Sequence, residues 1–368
     1  MQDIQIQLKN ALEKIDQNQF NFSDCVIGGD DCVLCVPNTM GVNWTQETKI
    51  LRSVVYRKSD FYPVSLSFPK FCNWGEKPEV FPVPSSLDNC TVVEKLDGSL
   101  LIVSKYKGQY ILRTRGTIDA HNLTNGFELN QFEIDVLPKI PGQLRDTWDY
   151  SVLFEWLSPT NKIVLNYGDT PEFRLVGVIN HEDYSLKTQD LLDGWGFVRP
   201  QTYTFSSVQD LLLSVDKWEG KEGVCVYSKD GQEIHKVKAA KYLLLHYMKS
   251  EMSSLEKVLD VWLAQGRPSY NDFYNYIAST FDFEIAETAR GFISQICDGW
   301  KEVEKIEAGM QKFLNEQIRN LPTRKLQAVV IQQSYGNTNR ASYLFTLLDG
   351  KPLEDKAYKK LLFQVLKK

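Results

Sequence analysis

Along the first two thirds of the chain, apolar residues come in short runs rich in β-branched and aromatic side chains between turn residues, the pattern of strands. SLLIVSKY at 99–106 and QYILRTR at 109–115 flank Lys107-Gly108 and read as a hairpin. EGVCVYS (222–228) and QEIHKVK (232–238) form a second, in which the Asp230-Gly231 pair supplies the positive φ angles of a tight turn. VLFEW (152–156), NKIVLNY (161–167) and FRLVGVI (173–179) give three further strands. Two helices are expected between them, one over 188–193 stopped by Gly194 and one over 207–217 capped by Ser206. An opening helix carries Leu8, Leu12 and Ile15 on one face.

Near residue 240 the period changes. Leu243, Tyr247 and Met248, then Leu255, Val258, Leu259 and Trp262, recur at three- and four-residue intervals, so the last third reads as helices. The expected architecture is α+β, with antiparallel sheets and flanking helices over 1–239 and an all-α domain over 240–368. Residues 319–368 hold ten Lys/Arg against three Asp/Glu, a basic segment suited either to a polyanion such as RNA or to solvated helix ends.

Composition narrows the classes. With 368 residues, 43% hydrophobic and 24% charged, the chain can bury a core in about two domains, which excludes a disordered or fibrous protein. Its net charge of −5 and pI near 5.6 argue against a surface that is basic all over, leaving room for a local basic groove. No apolar run reaches 18 residues and the start MQDIQIQLKNALEKIDQ has no apolar signal core, so a soluble, unexported protein without a membrane partner is expected. Seven scattered cysteines fit a reducing cytoplasm better than a disulfide framework. Cys32-x-x-Cys35, with Cys25 nearby, lacks the second ligand pair of a structural zinc site and reads as buried strand cysteines.

Candidate chemistry centres on Glu94-Lys95-Leu96-Asp97-Gly98-Ser99, a lysine at the lip of a strand followed by Asp-Gly. That layout suits an amine that attacks the α-phosphorus of a nucleotide. Alone it is a short pattern. It is followed in order by Thr114-Arg115-Gly116, Phe154-Glu155-Trp156, Glu222-Gly223-Val224-Cys225-Val226 and Lys236-Val237-Lys238. Leu51-Arg52-Ser53-Val54-Val55 and Phe68-Pro69-Lys70-Phe71-Cys72-Asn73-Trp74-Gly75-Glu76 precede it, and Leu157–Leu165 extends the central glutamate motif.

As a set, from about residue 50 to 240, these segments resemble the ATP-dependent RNA ligases, most closely the RNA ligase 1 group that repairs tRNA in T-even bacteriophages. The resemblance implies a covalent nucleotidyltransferase fold, ATP-grasp-like, with a helical tail concerned with RNA or tRNA specificity. It implies joining of RNA 5′-phosphate and 3′-hydroxyl ends, such as those of a cleaved tRNA, through lysyl-AMP and RNA-adenylate, in a monomer of the host-cell cytoplasm. It assigns catalysis to Lys95, Asp97, Lys236 and Lys238, and ATP binding to Arg52, Lys70, Lys95, Gly98, Arg115, Glu155, Glu222, Lys236 and Lys238. Within that set, Arg52 and Lys70 would reach the outgoing phosphates. Glu155 and Glu222 would hold Mg2+, with Mn2+ as an alternative, and Asp97 would support the later steps. Arg115 departs from the phage pattern, which has lysine there; its charge persists with a different geometry. Leu175 and Val176 are candidates to flank adenine.

Physical chemistry adds conditions. A free lysine is about 99.9% protonated at neutral pH, so the pKa of Lys95 must fall before it attacks. Lys236 and Lys238, two apart on a strand and hence on one face, are the candidates to lower it and to hold the α-phosphate. In Phe154-Glu155-Trp156, alternation puts Glu155 on the face opposite its aromatic neighbours, toward a groove. A nick-sealing polynucleotide ligase and a non-catalytic RNA-binding relative remain the alternatives; the first would follow its last lysines with the alternating strands of an OB-fold, the second would not label with ATP.

Overall fold

The opening helix, Asp3–Lys14, buries Ile4, Leu8 and Ala11, while Leu12 and Ile15 pack against the same core from its edge. It begins an α+β unit, Met1–Leu243, that is followed by a second unit, Leu244–Lys368. Both belong to a computed structural model that describes every residue except 1–2, 39–40, 142–146, 188–192, 282, 339 and 368.

Strands β1 (Phe20–Ile27), β2 (Asp30–Pro37), β3 (Val54–Arg57) and β4 (Pro63–Leu66) pair in that order in an antiparallel sheet. The rest are β5 (Cys72–Asn73), β6 (Cys90–Lys95), β7 (Ser99–Tyr106), β8 (Gln109–Arg113), β9 (Tyr150–Leu157), β10 (Glu172–Asn180), β11 (Leu186–Lys187), β12 (Thr202–Tyr203), β13 (Gly223–Ser228) and β14 (Ile234–Lys238). They build a second sheet in the order β11-β10-β9-β7-β8 and a third in the order β12-β6-β13-β14-β5.

Period-two alternation decides how these two sheets stack. In the third, Val92, Val224, Val226 and Val237 face Leu211 and Val215 of the helix Val208–Asp216. Val93, Cys225, Tyr227 and Ile234 point the other way, into a core shared with Ile102, Leu153 and Leu157 of the second sheet. The far face of that second sheet, with Leu101, Val152, Phe154 and Trp156, packs on Leu129 and Phe132 of the helix Leu129–Asp135. Both sheets are therefore buried on two faces, each apolar side chain contributing about 1.5–3 kcal/mol of transfer free energy. The site grows where the shared core opens.

Several expectations need correction. NKIVLNY (161–167) is not a strand but a short 3-10 turn and a loop, because its backbone is used to bind Asp97. Strand β8 stops at Arg113, two residues short, where that side chain turns inward. In the hairpin β13–β14, Tyr227 pairs with Ile234, so the connection is longer than a tight turn and only Gly231 of the Asp-Gly pair has positive φ. There the Asp230 carboxylate accepts from Gln232 N and the Ser228 hydroxyl instead. Ser207, not Ser206, caps the helix Val208–Asp216, accepting from Asp210 N at 3.1 Å. The helix expected over 188–193 falls at 188–192 outside the described residues.

Unit Leu244–Lys368 consists, among its described residues, of helices joined by turns and loops, without a strand. Its core joins Val258, Leu259 and Trp262 of Leu255–Ala264 to Ile293, Ile296 and Val303 of the 31-residue helix Phe283–Phe313. In the helix Ala240–Glu251 only part of the expected stripe is buried: Met248 is, whereas Leu243 and Tyr247 are 50% and 59% exposed. Among the described residues no helix is long and apolar enough to cross a membrane. Cys32 and Cys35, three apart on β2, fall on opposite faces and into separate apolar clusters. They are free thiols, and both are buried.

Candidate active site

A cavity of about 420 Å3 opens above the shared core. Its walls include Arg52, Lys95, Gly98, Thr114, Arg115, Glu155 and Val176, with Phe68, Phe71 and Tyr227 as an apolar side. Segments up to 175 residues apart in sequence thus meet at one opening.

Strand register explains the charged wall. On β13, Gly223 stands opposite Lys95 of β6 on one side and Lys238 of β14 on the other. A Cβ at Gly223, where φ is 148°, would lie 2.0 Å from Val237 O, so only glycine fits. The row is therefore open in the middle, and Glu222, 3% exposed at its side chain, bridges it: Oε2 lies 2.8 Å from Lys95 Nζ and Oε1 2.8 Å from Lys238 Nζ. Gly98 is constrained in the same way, since a Cβ there would come within 2.6 Å of Trp156 O. Its N–H instead donates to Glu155 Oε1 at 3.0 Å.

These contacts overturn the expected electrostatics of Lys95. Burial pulls its pKa down and is the largest single influence, but Glu222, Cys225 and Glu155 together outweigh it, and the net shift is upward. The lysine with a depressed pKa is Lys236, brought to about 8 by burial and by Lys238, Arg52, Lys70 and Lys95. Glu155 is pushed up to about 7, first by burial and then, against the pull of Lys95, by Glu222. In this state the site holds an ammonium at Lys95 and a readily protonated carboxyl at Glu155.

The remaining predicted residues are placed as follows. Arg52, Arg115 and Val176 line the cavity, whereas Leu175, on the other side of a bulge in β10, is buried in the opposite face of the sheet. Leu175 is therefore no candidate to flank adenine. Arg52 lies over the Phe71 ring at 4.7 Å and Lys236 over the same ring at 5.6 Å. Lys70, Lys236, Lys238 and Glu222 are not among the residues that line the cavity, but Lys236 and Lys238 share the sheet face of Lys95 and Glu222 pairs with Lys95 and Lys238. Asp97 is 4% exposed and saturated: it accepts from Val164 N at 2.7 Å, Leu165 N at 2.8 Å and the Tyr242 hydroxyl at 2.6 Å.

Sequence reasoning missed Phe71, Tyr242, Ser53 and Glu128. Glu128, buried in the short helical insertion, accepts from Trp156 Nε1 at 2.8 Å and from the Ser158 and Thr160 hydroxyls at 2.7 Å each. It fixes the strand end next to Glu155. Nothing local marks it, because its partners lie 28 to 32 residues on.

Of the acids expected to meet a cation, Glu155 lines the cavity, as does Glu94, whereas Glu222 lies beside it paired with Lys95 and Lys238; among the described residues no cluster of three or more His, Cys, Asp or Glu could hold a metal. Two carboxylates fit a hard divalent ion that keeps waters and phosphate oxygens as its other ligands, not an all-protein cage.

Three comparisons bear on this geometry. A protein named as a bifunctional polynucleotide kinase/RNA ligase of Autographa californica nuclear polyhedrosis virus is 23% identical over 315 residues, covering 77% of this chain and 44% of the viral protein. This chain therefore spans less than half of that relative. Among solved structures, an archaeal ATP-dependent RNA ligase aligns with a TM-score of 0.43 at 15% identity, over 83% of this chain and 79% of the other. A variant of the Naegleria gruberi RNA ligase with ATP and Mn aligns with a TM-score of 0.36 at 16% identity, over 43% and 51%. The family model described as RNA ligase matches residues 51–251, more than half of the chain and every residue that lines the cavity, and the chain belongs to the RNA ligase family.

Proposed function

We propose that this protein is an ATP-dependent RNA ligase that joins a 5′-phosphate to a 3′-hydroxyl through lysyl-AMP and RNA-adenylate. The observation that carries the reading is the alignment of Lys95, Gly223 and Lys238 across three strands, bridged by Glu222 beside the cavity. In the first step the Lys95 ammonium gives its proton to water at the cavity opening, Nζ bonds to the α-phosphorus of ATP, and the bond to the outgoing diphosphate breaks. Lys236 and Lys238 would face the α-phosphate, and Arg52, Arg115 and Lys70 the outgoing diphosphate. Val176, Phe68 and Tyr227 supply apolar surface for the base. Glu155 and Glu222 would hold a divalent cation, Mg2+ or Mn2+, which neutralises phosphate charge when bound. Drawing the Glu222 carboxylate away from Lys95 would remove the strongest of the influences that keep the amine protonated, Cys225 and Glu155 being the others. Asp97 would act on the later steps through the 164–165 backbone that it holds.

The test is circularisation of a 5′-phosphorylated single-stranded RNA with ATP and Mg2+. Circles support the ligase reading. Labelled AMP on the protein without circles keeps the nucleotidyltransferase and points to nicked duplexes or tRNA ends; no label sinks the enzyme reading in favour of a binding protein.

The state of Glu155 gives a pH dependence. Its pKa near 7 means that below pH 7 a proton competes with the cation for the carboxylate. Lysyl-AMP formation is expected to fall about tenfold per unit below that point, partly recovered by excess cation. A profile flat from pH 5.5 to 7 would remove Glu155 from cation binding.

For the helical unit we propose an RNA-backbone contact. A cavity of about 520 Å3 is lined by Lys351, Lys356 and Lys360 with Ser342, Thr346 and one acid, Glu354. Arg324 and Lys359 nearby are paired with Asp349 and Asp260, whereas the three cavity lysines have no ion pair among the described residues. Reversing all three to Glu should lower the salt slope of single-stranded RNA binding by about 2 and reduce joining far more than lysyl-AMP formation. Equal losses in both would assign these lysines to folding. A tRNA substrate, a monomeric state and a cytoplasmic setting rest on the family resemblance, and nuclease-nicked tRNA is the substrate to test next.

A further inference from the structure

At the end of β8, the guanidinium of Arg113 is fully buried and has no ion pair among the described residues. A charge is costly to desolvate, and burial, against the opposing influence of Tyr184 and Cys25, brings this one down to about 9. It is held by five hydrogen bonds to uncharged groups. Nε donates to Ser65 Oγ at 2.7 Å; Nη1 donates to Ser53 Oγ at 2.7 Å and Thr114 O at 3.2 Å; Nη2 donates to Ser65 O at 3.0 Å and Ser53 O at 3.4 Å. The Ser53 hydroxyl, also fully buried, donates its own hydrogen bond to Arg115 O at 2.8 Å.

The partners are informative. Ser53 follows Arg52 and Thr114 precedes Arg115, so this one fork ties together the backbones that carry the two arginines of the cavity. Those arginines repel: after burial, Arg115 is the next largest influence lowering Arg52. Two flexible cations facing one opening would swing apart unless their backbones were fixed. An apolar residue would fill the place of Arg113 at lower desolvation cost, but it could not bond both segments at once.

We propose that Arg113, acting through Ser53, is a positioning residue that holds Arg52 and Arg115 as a convergent pair for one diphosphate, the leaving group of the nucleoside triphosphate. This rests on reading the cavity as the ATP site. It places the effect of Arg113 in the step that uses triphosphate and releases a free diphosphate, not in the sealing of an RNA that already carries AMP, where the leaving group is AMP.

The experiment uses the full chain with Ser53→Ala, Arg113→Lys and Arg113→Met. Lysyl-AMP formation is followed against ATP concentration, inorganic pyrophosphate serves as a direct inhibitor, and sealing of chemically adenylylated RNA is measured without ATP. In Ser53→Ala the KM for ATP and the inhibition constant of pyrophosphate should rise together by about tenfold, with a far smaller loss in sealing. Arg113→Lys, which keeps the charge and loses the fork, should not rescue. Equal losses in both assays, or an unchanged KM and pyrophosphate inhibition in Ser53→Ala, would overturn the proposal, and this small change keeps the test usable where Arg113→Met does not fold. Wild-type protein that takes up no AMP would sink the ATP reading itself, an outcome distinct from both.

Discussion

Lys95→Ala is expected to abolish transfer of labelled AMP from ATP to the protein, a loss of at least about a thousandfold, because no other amine is placed to replace the nucleophile. Lys238 shares Glu222 with Lys95, but both stand at fixed places in the strand register and only Lys95 lines the cavity. Lys236, although its pKa lies near 8, sits over the Phe71 ring and does not line the cavity. The check is label retained on denatured protein, with the modified residue located by mass spectrometry. Label undiminished in the variant, or found on Lys236, would refute Lys95 as the attacking group.

Glu222→Gln should have the second largest effect, on two observables at once. The carboxylate is nearly buried and pairs with two lysines, so removing its charge leaves both ammonium groups under-compensated and should cost about 3 kcal/mol of stability, read as a lower thermal midpoint. The sign with pH follows from the upward shift of Lys95. A lysine whose folded pKa exceeds its ordinary value of 10.5 stabilises the fold fully below that value, and the gain is lost as pH rises through the higher folded pKa. Wild type should therefore lose this stability only in strong alkali.

In Glu222→Gln the strongest raising influence on Lys95 is gone, while burial remains against only Cys225 and Glu155. Its pKa should drop below the ordinary lysine range, measurable as faster acylation of Lys95 at pH 8. Unchanged acylation together with an unchanged thermal midpoint would show that Glu222 does not govern the amine. Adenylylation should nevertheless fall, because the same carboxylate is proposed to hold the cation.

Much of the site was legible in the chain because its residues sit on strands with strict alternation. Glu155 between Phe154 and Trp156 had to face away from the aromatic core, and it does. Lys236 and Lys238 had to share a face, and both lie on the side of the sheet that bears Lys95. The opening helix and the hairpin β7–β8 follow from local periodicity and from Lys107-Gly108, both at positive φ. Helical character after residue 240 was equally local, since a 3.6-residue period needs no distant partner to be recognised.

Tertiary structure alone decided the rest. The segment 161–167 has the composition of a strand, yet two of its N–H groups are taken by Asp97, some 67 residues earlier, so the ladder never forms. Leu175 and Val176 are apolar strand neighbours that alternation sends to opposite faces, but only the pairing of β10 with β9, Leu175 opposite Phe154, decides which of them enters the core and which the cavity. Arg113 reads as one more strand residue, and its role appears only when Ser53 and Ser65 close around it. The protonation of Lys95 was set the same way. The sequence by itself determined which charges the site holds, since identity and strand period are local properties. Which charge faces which depends on strand order across the sheet, and Coulomb energy falls with distances that only the folded chain defines.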